Sequence, residues 1–125
     1  MRHVSKISVL IVDGSPVIVK RLITKLQEYI PEKKIKFSFT GIDALELIND
    51  NNPRSVILDI HLPDTNGTEL LRKIKEFYPH TKVVVLTNET DAFFERRCQL
   101  LGSDGFYDKS IEVDMAIDKA LEFAL

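Results

Sequence analysis

The chain has 125 residues, enough for one well-packed core, with 44% hydrophobic and 29% charged residues, an ordinary globular composition. A formal net charge of -2 argues against the basic stripe that nucleic-acid binding needs, and no apolar run approaches the length of a membrane span. A single cysteine, Cys98, excludes an intrachain disulfide and a thiol-rich zinc site, and it reads as a small buried hydrophobe on a helix.

"MRHVSKISVLIV" places basic residues before an apolar stretch, but that stretch is short and runs into Asp13, so a cytoplasmic chain without a signal peptide is expected. "KISVLIVD" is too continuously apolar for a one-sided strand, and both of its faces should be covered. Ser15-Pro16 follows as an N-cap and first helical residue, opening a helix with Ile18, Leu22, Leu26 and Ile30 on one face. "KKIKFSFT" alternates like a strand with Ile35, Phe37 and Phe39 on one side, and "GIDALELIND" is a short helix carrying Leu45 and Ile48. "SVILD" is a third strand, again ending on an acid, Asp59. A turn-rich loop, "IHLPDTNG", leads to a helix with Leu70, Leu71, Ile74 and Phe77, where Asn66 and Glu69 have the spacing of a capping box. "KVVVLT" ends on Thr87. A helix from about Asp91 to Leu101 precedes "DGFYDK", which ends on Lys109. The last helix carries Val113, Ile117, Ala120, Leu121 and Ala124 in a stripe.

Strands alternating with helices predict one domain over residues 1–125, a doubly wound α/β fold with a five-stranded parallel sheet. In such sheets functional groups gather beyond the carboxyl ends of the strands. There the chain offers two carboxylates (Asp13, Asp59), a hydroxyl (Thr87) and an ammonium (Lys109). Each alone is ordinary: an acid at a strand end is commonly a turn former, and a loop lysine is commonly a solvated charge. Together they suit phosphoryl transfer to a carboxylate, in which Mg²⁺, an ammonium and a hydroxyl stabilise the phosphoryl oxygens.

The chain resembles the receiver domains of two-component response regulators on "LIVDGSP", "ILDIHLPDTNGTEL", "VVVLTN" and "GFYDKS". The resemblance covers essentially the whole chain. It implies a flavodoxin-like fold with strand order 2-1-3-4-5 and a signalling module rather than an enzyme, beyond transfer to and loss from its own carboxylate. Asp59 would accept a phosphoryl group from a phosphohistidine on a sensor histidine kinase or phosphotransfer protein. Thr87 would hydrogen-bond the phosphate, Lys109 would pair with it, and Phe106 would stand at the switch aromatic position, while Tyr107 should point to the opposite face. Mg²⁺ would be held by Asp13, Asp59 and the backbone carbonyl of His61, and the output would be a change in binding to a downstream protein, with no membrane involved.

Three features depart from that pattern, one being Phe106 where the family usually has tyrosine, so that no phenolic hydroxyl stands at the switch position. "VDG" supplies only the first of the family's two consecutive acids and puts Gly14 in place of the second, so weak Mg²⁺ binding is expected. Gly14 would either permit an unusual turn or leave room for an extra water. Ser110 stands where the family has proline, so a trans Lys109–Ser110 bond is expected. Gly14 also makes room for another reading, a degenerate receiver that docks partners without phosphate. A haloacid dehalogenase-type hydrolase would need a second acid two residues after its nucleophile, where this chain has His61 after Asp59 and Ser15 after Asp13.

Overall fold

The computed structural model describes residues 4–125. Its elements are β1 (Val9–Val12), α1 (Pro16–Leu26), a 3₁₀ turn (Glu32–Lys34), β2 (Ile35–Ser38), α2 (Gly41–Asn51), β3 (Ser55–Leu58), α3 (Gly67–Phe77), β4 (Lys82–Thr87), α4 (Ala92–Leu100), β5 (Gly105–Asp108) and α5 (Val113–Ala124). All five strands are parallel, in the order β2-β1-β3-β4-β5, so the doubly wound sheet expected from the strand–helix alternation is present.

Strand periodicity divides the core. Val9, Ile11, Ile57, Val84 and Leu86 face α1 and α5, packing on Leu22, Leu26, Ile117 and Leu121. Leu10, Val12, Val56, Leu58, Val83 and Val85 face the other way, against Ala44, Ile48, Leu70, Leu71, Ile74 and the fully buried Cys98. Burial pushes the Cys98 thiol up to about 11, as befits a packing residue rather than a nucleophile. Tyr107 packs on the α1/α5 side and Phe106 on the other, so the two aromatics of β5 point to opposite faces.

Several local expectations are corrected. Ile35 reaches the core, but Phe37 and Phe39 are 45% and 38% exposed and pack on each other at 5.2 Å between ring centroids. The reason is position: β2 is an edge strand, with a neighbouring strand on one side only. Helix α1 stops at Leu26, and Ile30 is buried from the turn beyond it, its N–H donating to the Leu26 carbonyl. Phe77 lies on the exposed side of α3. Asn66 does cap α3, accepting from the Thr68 N–H at 2.9 Å, but the reciprocal arm of a capping box is missing. Glu69 is drawn instead to Arg72 at 2.7 Å. Among the described residues no peptide bond is cis, so Lys109–Ser110 is trans, and no helix is long and apolar enough to cross a membrane.

Candidate functional site

The strand register builds the site. Val12 pairs with Leu58, and the Asp59 N–H donates to the Val12 carbonyl at 2.9 Å, so the acids that follow β1 and β3 are neighbours on one rim. On the far side of β4, Thr87 pairs with Asp108, and the Lys109 N–H donates to the Thr87 carbonyl at 2.9 Å. From there the lysine side chain crosses back over the sheet. Its Nζ lies 2.6 Å from Asp13 Oδ2 and 2.7 Å from Asp59 Oδ2. All three groups are buried.

The remaining carboxylate oxygens are held by backbone. Asp13 Oδ1 accepts from the Ser15 N–H at 2.9 Å, and Asp59 Oδ1 from the Ile60 N–H at 2.7 Å, with a longer contact from the His61 N–H at 3.4 Å. Both acids are therefore fixed in orientation while keeping lone pairs for a further ligand. The triad opens on a cleft of about 420 Å³ lined also by Gly14, Ser15, His61, Leu62 and Pro63.

Two anions share one cation, and the ionisation preferences reflect it. Burial pushes the Asp13 carboxyl above the usual range, against the pull of Lys109 and the Ser15 N–H. Burial likewise pulls on the Lys109 ammonium, but its bonds to Asp13 and Asp59 outweigh that and hold it above the ordinary lysine value. A single ammonium cannot neutralise both carboxylates, so the pocket carries excess negative charge suited to a hard cation. Among the described residues no cluster of three or more acidic, histidine or cysteine side chains stands ready for a metal. Two carboxylates beside an open cleft nevertheless fit Mg²⁺, which takes one or two carboxylates and keeps several waters.

Not every expected residue faces the cleft. The Thr87 hydroxyl is fully buried and accepts from the Glu89 N–H at 3.2 Å, bonding neither Asp59 nor Lys109. Phe106 is half-buried, with its ring 6.4 Å from that of Phe94 on α4. The His61 ring lines the cleft and meets Glu89 Oε2 at 3.2 Å, joining the loops after β3 and β4.

Two further residues shape the loop after Asp59. A Cβ on Gly67 would lie 2.4 Å from Ile60 Cα and 2.7 Å from the Asp59 carbonyl, and the Gly67 N–H donates to the Ile60 carbonyl at 2.7 Å. Only glycine lets α3 begin so close to the end of β3. Asp64, in the same loop, accepts from the Gly41 and Ile42 N–H groups at 2.8 and 3.0 Å and so caps the start of α2. These backbone bonds, that of Gly41 foremost, hold its carboxyl below the usual range. Gly14 is simpler than expected. Its φ is not in the left-handed region, and an added Cβ would meet only Pro63 Cδ, at 3.3 Å, and two more distant atoms. The absent side chain therefore answers no backbone demand.

Comparison with known proteins decides the family. The model of the response regulator receiver domain matches residues 9–121. The chain belongs to the response regulator receiver family. This receiver is 28% identical over 117 residues to the transcriptional regulatory protein DegU of Brevibacillus brevis, covering 91% of this chain and 48% of that one. It is 30% identical over 102 residues to the fimbriae Z protein of Salmonella typhimurium, covering 82% and 49%. It thus spans about half the length of these curated relatives. Among solved structures, the BeF₃-activated receiver domain of DrrB, from Thermotoga maritima, superposes with a TM-score of 0.81 at 29% identity, covering 93% of this receiver and 95% of that chain. The family's role is phosphorelay signalling, carried out by a non-enzymatic signalling domain that uses Mg²⁺ in its phosphorylation.

Proposed function

We propose that this receiver takes a phosphoryl group from a phosphohistidine of a histidine kinase or phosphotransfer protein on Asp59, and that the aspartyl phosphate changes its binding to a downstream protein. The observation that carries this reading is the Lys109 ammonium 2.7 Å from the Asp59 carboxylate, beside Asp13 and at the wall of an open cleft. In the transfer an Asp59 oxygen attacks phosphorus, the P–N bond breaks, and the electron pair leaves with the imidazole. Lys109 stabilises charge on the phosphoryl oxygens, and the backbone N–H groups at Ile60 and His61 hold the carboxylate in line. Mg²⁺, when bound, neutralises phosphoryl charge; Asp13, Asp59 and the His61 carbonyl are the groups to hold it. The cytoplasm, where kinase and receiver meet, is the location that follows.

The added phosphate brings roughly -1.5 to -2 charges and three acceptor oxygens. In this reading Thr87 is the responding group, because among the described residues its hydroxyl is tied only by the 3.2 Å bond from Glu89 N–H. Drawing it toward the phosphate frees the loop after β4 and the half-buried Phe106 beside it. Beryllofluoride with Mg²⁺ stands in for the phosphoryl group and is the direct test. Backbone amide spectra should shift at Thr87, Glu89 and Phe106 in the wild type and remain unchanged in Asp59→Asn. Shifts confined to the loop after β3 would contradict the switch.

No feature other than Gly14 favours a phosphate-independent scaffold. A dehalogenase-type hydrolase lacks its second acid, and the Ser15 side chain faces the Ile18 N–H as the N-cap of α1.

Gly14 sets the expected Mg²⁺ affinity. With one anionic ligand fewer the ion must keep an extra water, so its binding is weak. Because the backbone at Gly14 suits any residue and the Pro63 ring needs to give only a few tenths of an ångström, Gly14→Asp should tighten Mg²⁺ binding by roughly tenfold or more, the equivalent of about 1.4 kcal/mol. Calorimetric titration of both proteins checks it, and equal affinities would show the second acid to be dispensable here.

A further inference from the structure

At the opposite end of the sheet, where the strands begin, lies a second cleft of about 260 Å³ lined by Ser5, Pro53, Arg54, His80, Lys82 and Phe123. The register makes it. Arg54 immediately precedes β3 and Lys82 opens β4; Ser55 pairs with Lys82, and the Lys82 N–H donates to the Arg54 carbonyl at 3.1 Å. Two cationic residues, Arg54 and Lys82, line the same concavity. Among the described residues no acidic residue lines it, and neither Arg54 nor Lys82 has a carboxylate within ion-pair distance.

Lys82 Nζ sits 5.7 Å from the centroid of the Phe123 ring. Lys119 Nζ is 5.8 Å from the same ring but is already paired with Glu122 at 3.2 Å. The His80 ring stands at the wall, its Nε2 2.8 Å from Asn52 Oδ1. An arginine, a lysine and a serine lining a small concavity are the residue types of a donor set for a compact, multiply charged oxyanion.

We propose that this cleft binds the phosphate or diphosphate group of a small soluble molecule. The site is separate from the Asp13–Asp59–Lys109 rim, because it lies at the other ends of the same strands. Ligand there touches the first residue of β4, the strand that ends on Thr87, and the last turn of α5.

The test is a titration of the ¹⁵N-labelled receiver with pyrophosphate, without Mg²⁺ and with ionic strength held constant by sodium chloride. Amides of Ser5, Arg54, His80, Lys82 and Phe123 should shift and saturate, and those of Asp13 and Asp59 should not. Arg54→Gln combined with Lys82→Gln should weaken binding by roughly tenfold or more, since two charge-assisted hydrogen bonds are lost. Arg54→Gln alone, at an exposed position, should weaken it by a smaller factor and keeps the test valid if the double variant is unstable. Asp59→Asn should bind as the wild type does. Shifts that fail to saturate, shifts confined to the Asp59 rim, or undiminished binding by folded Arg54→Gln would each overturn the proposal.

Discussion

Lys109→Met should bind Mg²⁺ more tightly than the wild type and yet accept phosphate from acetyl phosphate slower by about 10²-fold or more. Both effects have one cause. The ammonium sits 2.6 and 2.7 Å from the carboxylate oxygens that a divalent ion would also use, so it repels that ion while it organises the acids. Methionine removes the repulsion but also the group proposed to stabilise the phosphoryl oxygens. It leaves two buried carboxylates facing each other, and in Mg²⁺-free buffer the fold should lose on the order of 3 kcal/mol. Adding Mg²⁺ should restore much of that loss. Calorimetry, phosphorylation rates and urea denaturation with and without Mg²⁺ read out the three parts. Weaker Mg²⁺ binding by the variant would show that Lys109 does not compete at the carboxylates.

The second large effect is expected at Gly67. Alanine there would put a methyl group 2.4 Å from Ile60 Cα and 2.7 Å from the Asp59 carbonyl, both backbone atoms that cannot swing aside. Either α3 moves away or the chain after Asp59 bends. Overpacking of this kind costs about 1–3 kcal/mol, and the contact with backbone puts Gly67→Ala at the upper end. The displaced loop also carries the N–H groups that hold Asp59 Oδ1, so phosphorylation should slow as stability falls. Gly14→Ala is the control: its new methyl meets the Pro63 ring at 3.3 Å and the Phe39 carbonyl at 3.8 Å, and stability should change by less than about 0.5 kcal/mol. Equal denaturation midpoints for Gly67→Ala and the wild type would refute the steric argument.

The fold was legible because its central strands are buried on both faces. "SVLIV", "SVIL" and "KVVVLT" are nearly continuous apolar runs, which only a sheet covered on both sides explains. At β2 alternation put Ile35, Phe37 and Phe39 on one side, but it could not tell that the core covers only Ile35, because that depends on the strand lying at the edge. Convergence of Asp13, Asp59 and Lys109 at one rim could be read from strand ends. That Lys109 bridges both acids could not, since it depends on how far its side chain crosses β4. The Asp64 cap on α2 joins residues more than twenty positions apart, as the partner Gly41 shows, and no local spacing encodes it. The Asn66–Glu69 spacing was present, but Arg72, three residues further along the helix face, drew the glutamate away. Gly14 invited a conformational explanation because glycine permits positive φ, whereas its φ is ordinary and the consequence is the missing carboxylate.

The role assigned to Asp59 rests on its place between Lys109 and Asp13 and is tested most directly by intact mass after incubation with acetyl phosphate and high Mg²⁺. The wild type should gain one phosphoryl group and Asp59→Asn none. A wild type that stays unmodified, or an Asp59→Asn variant that is modified as readily, would contradict the assignment.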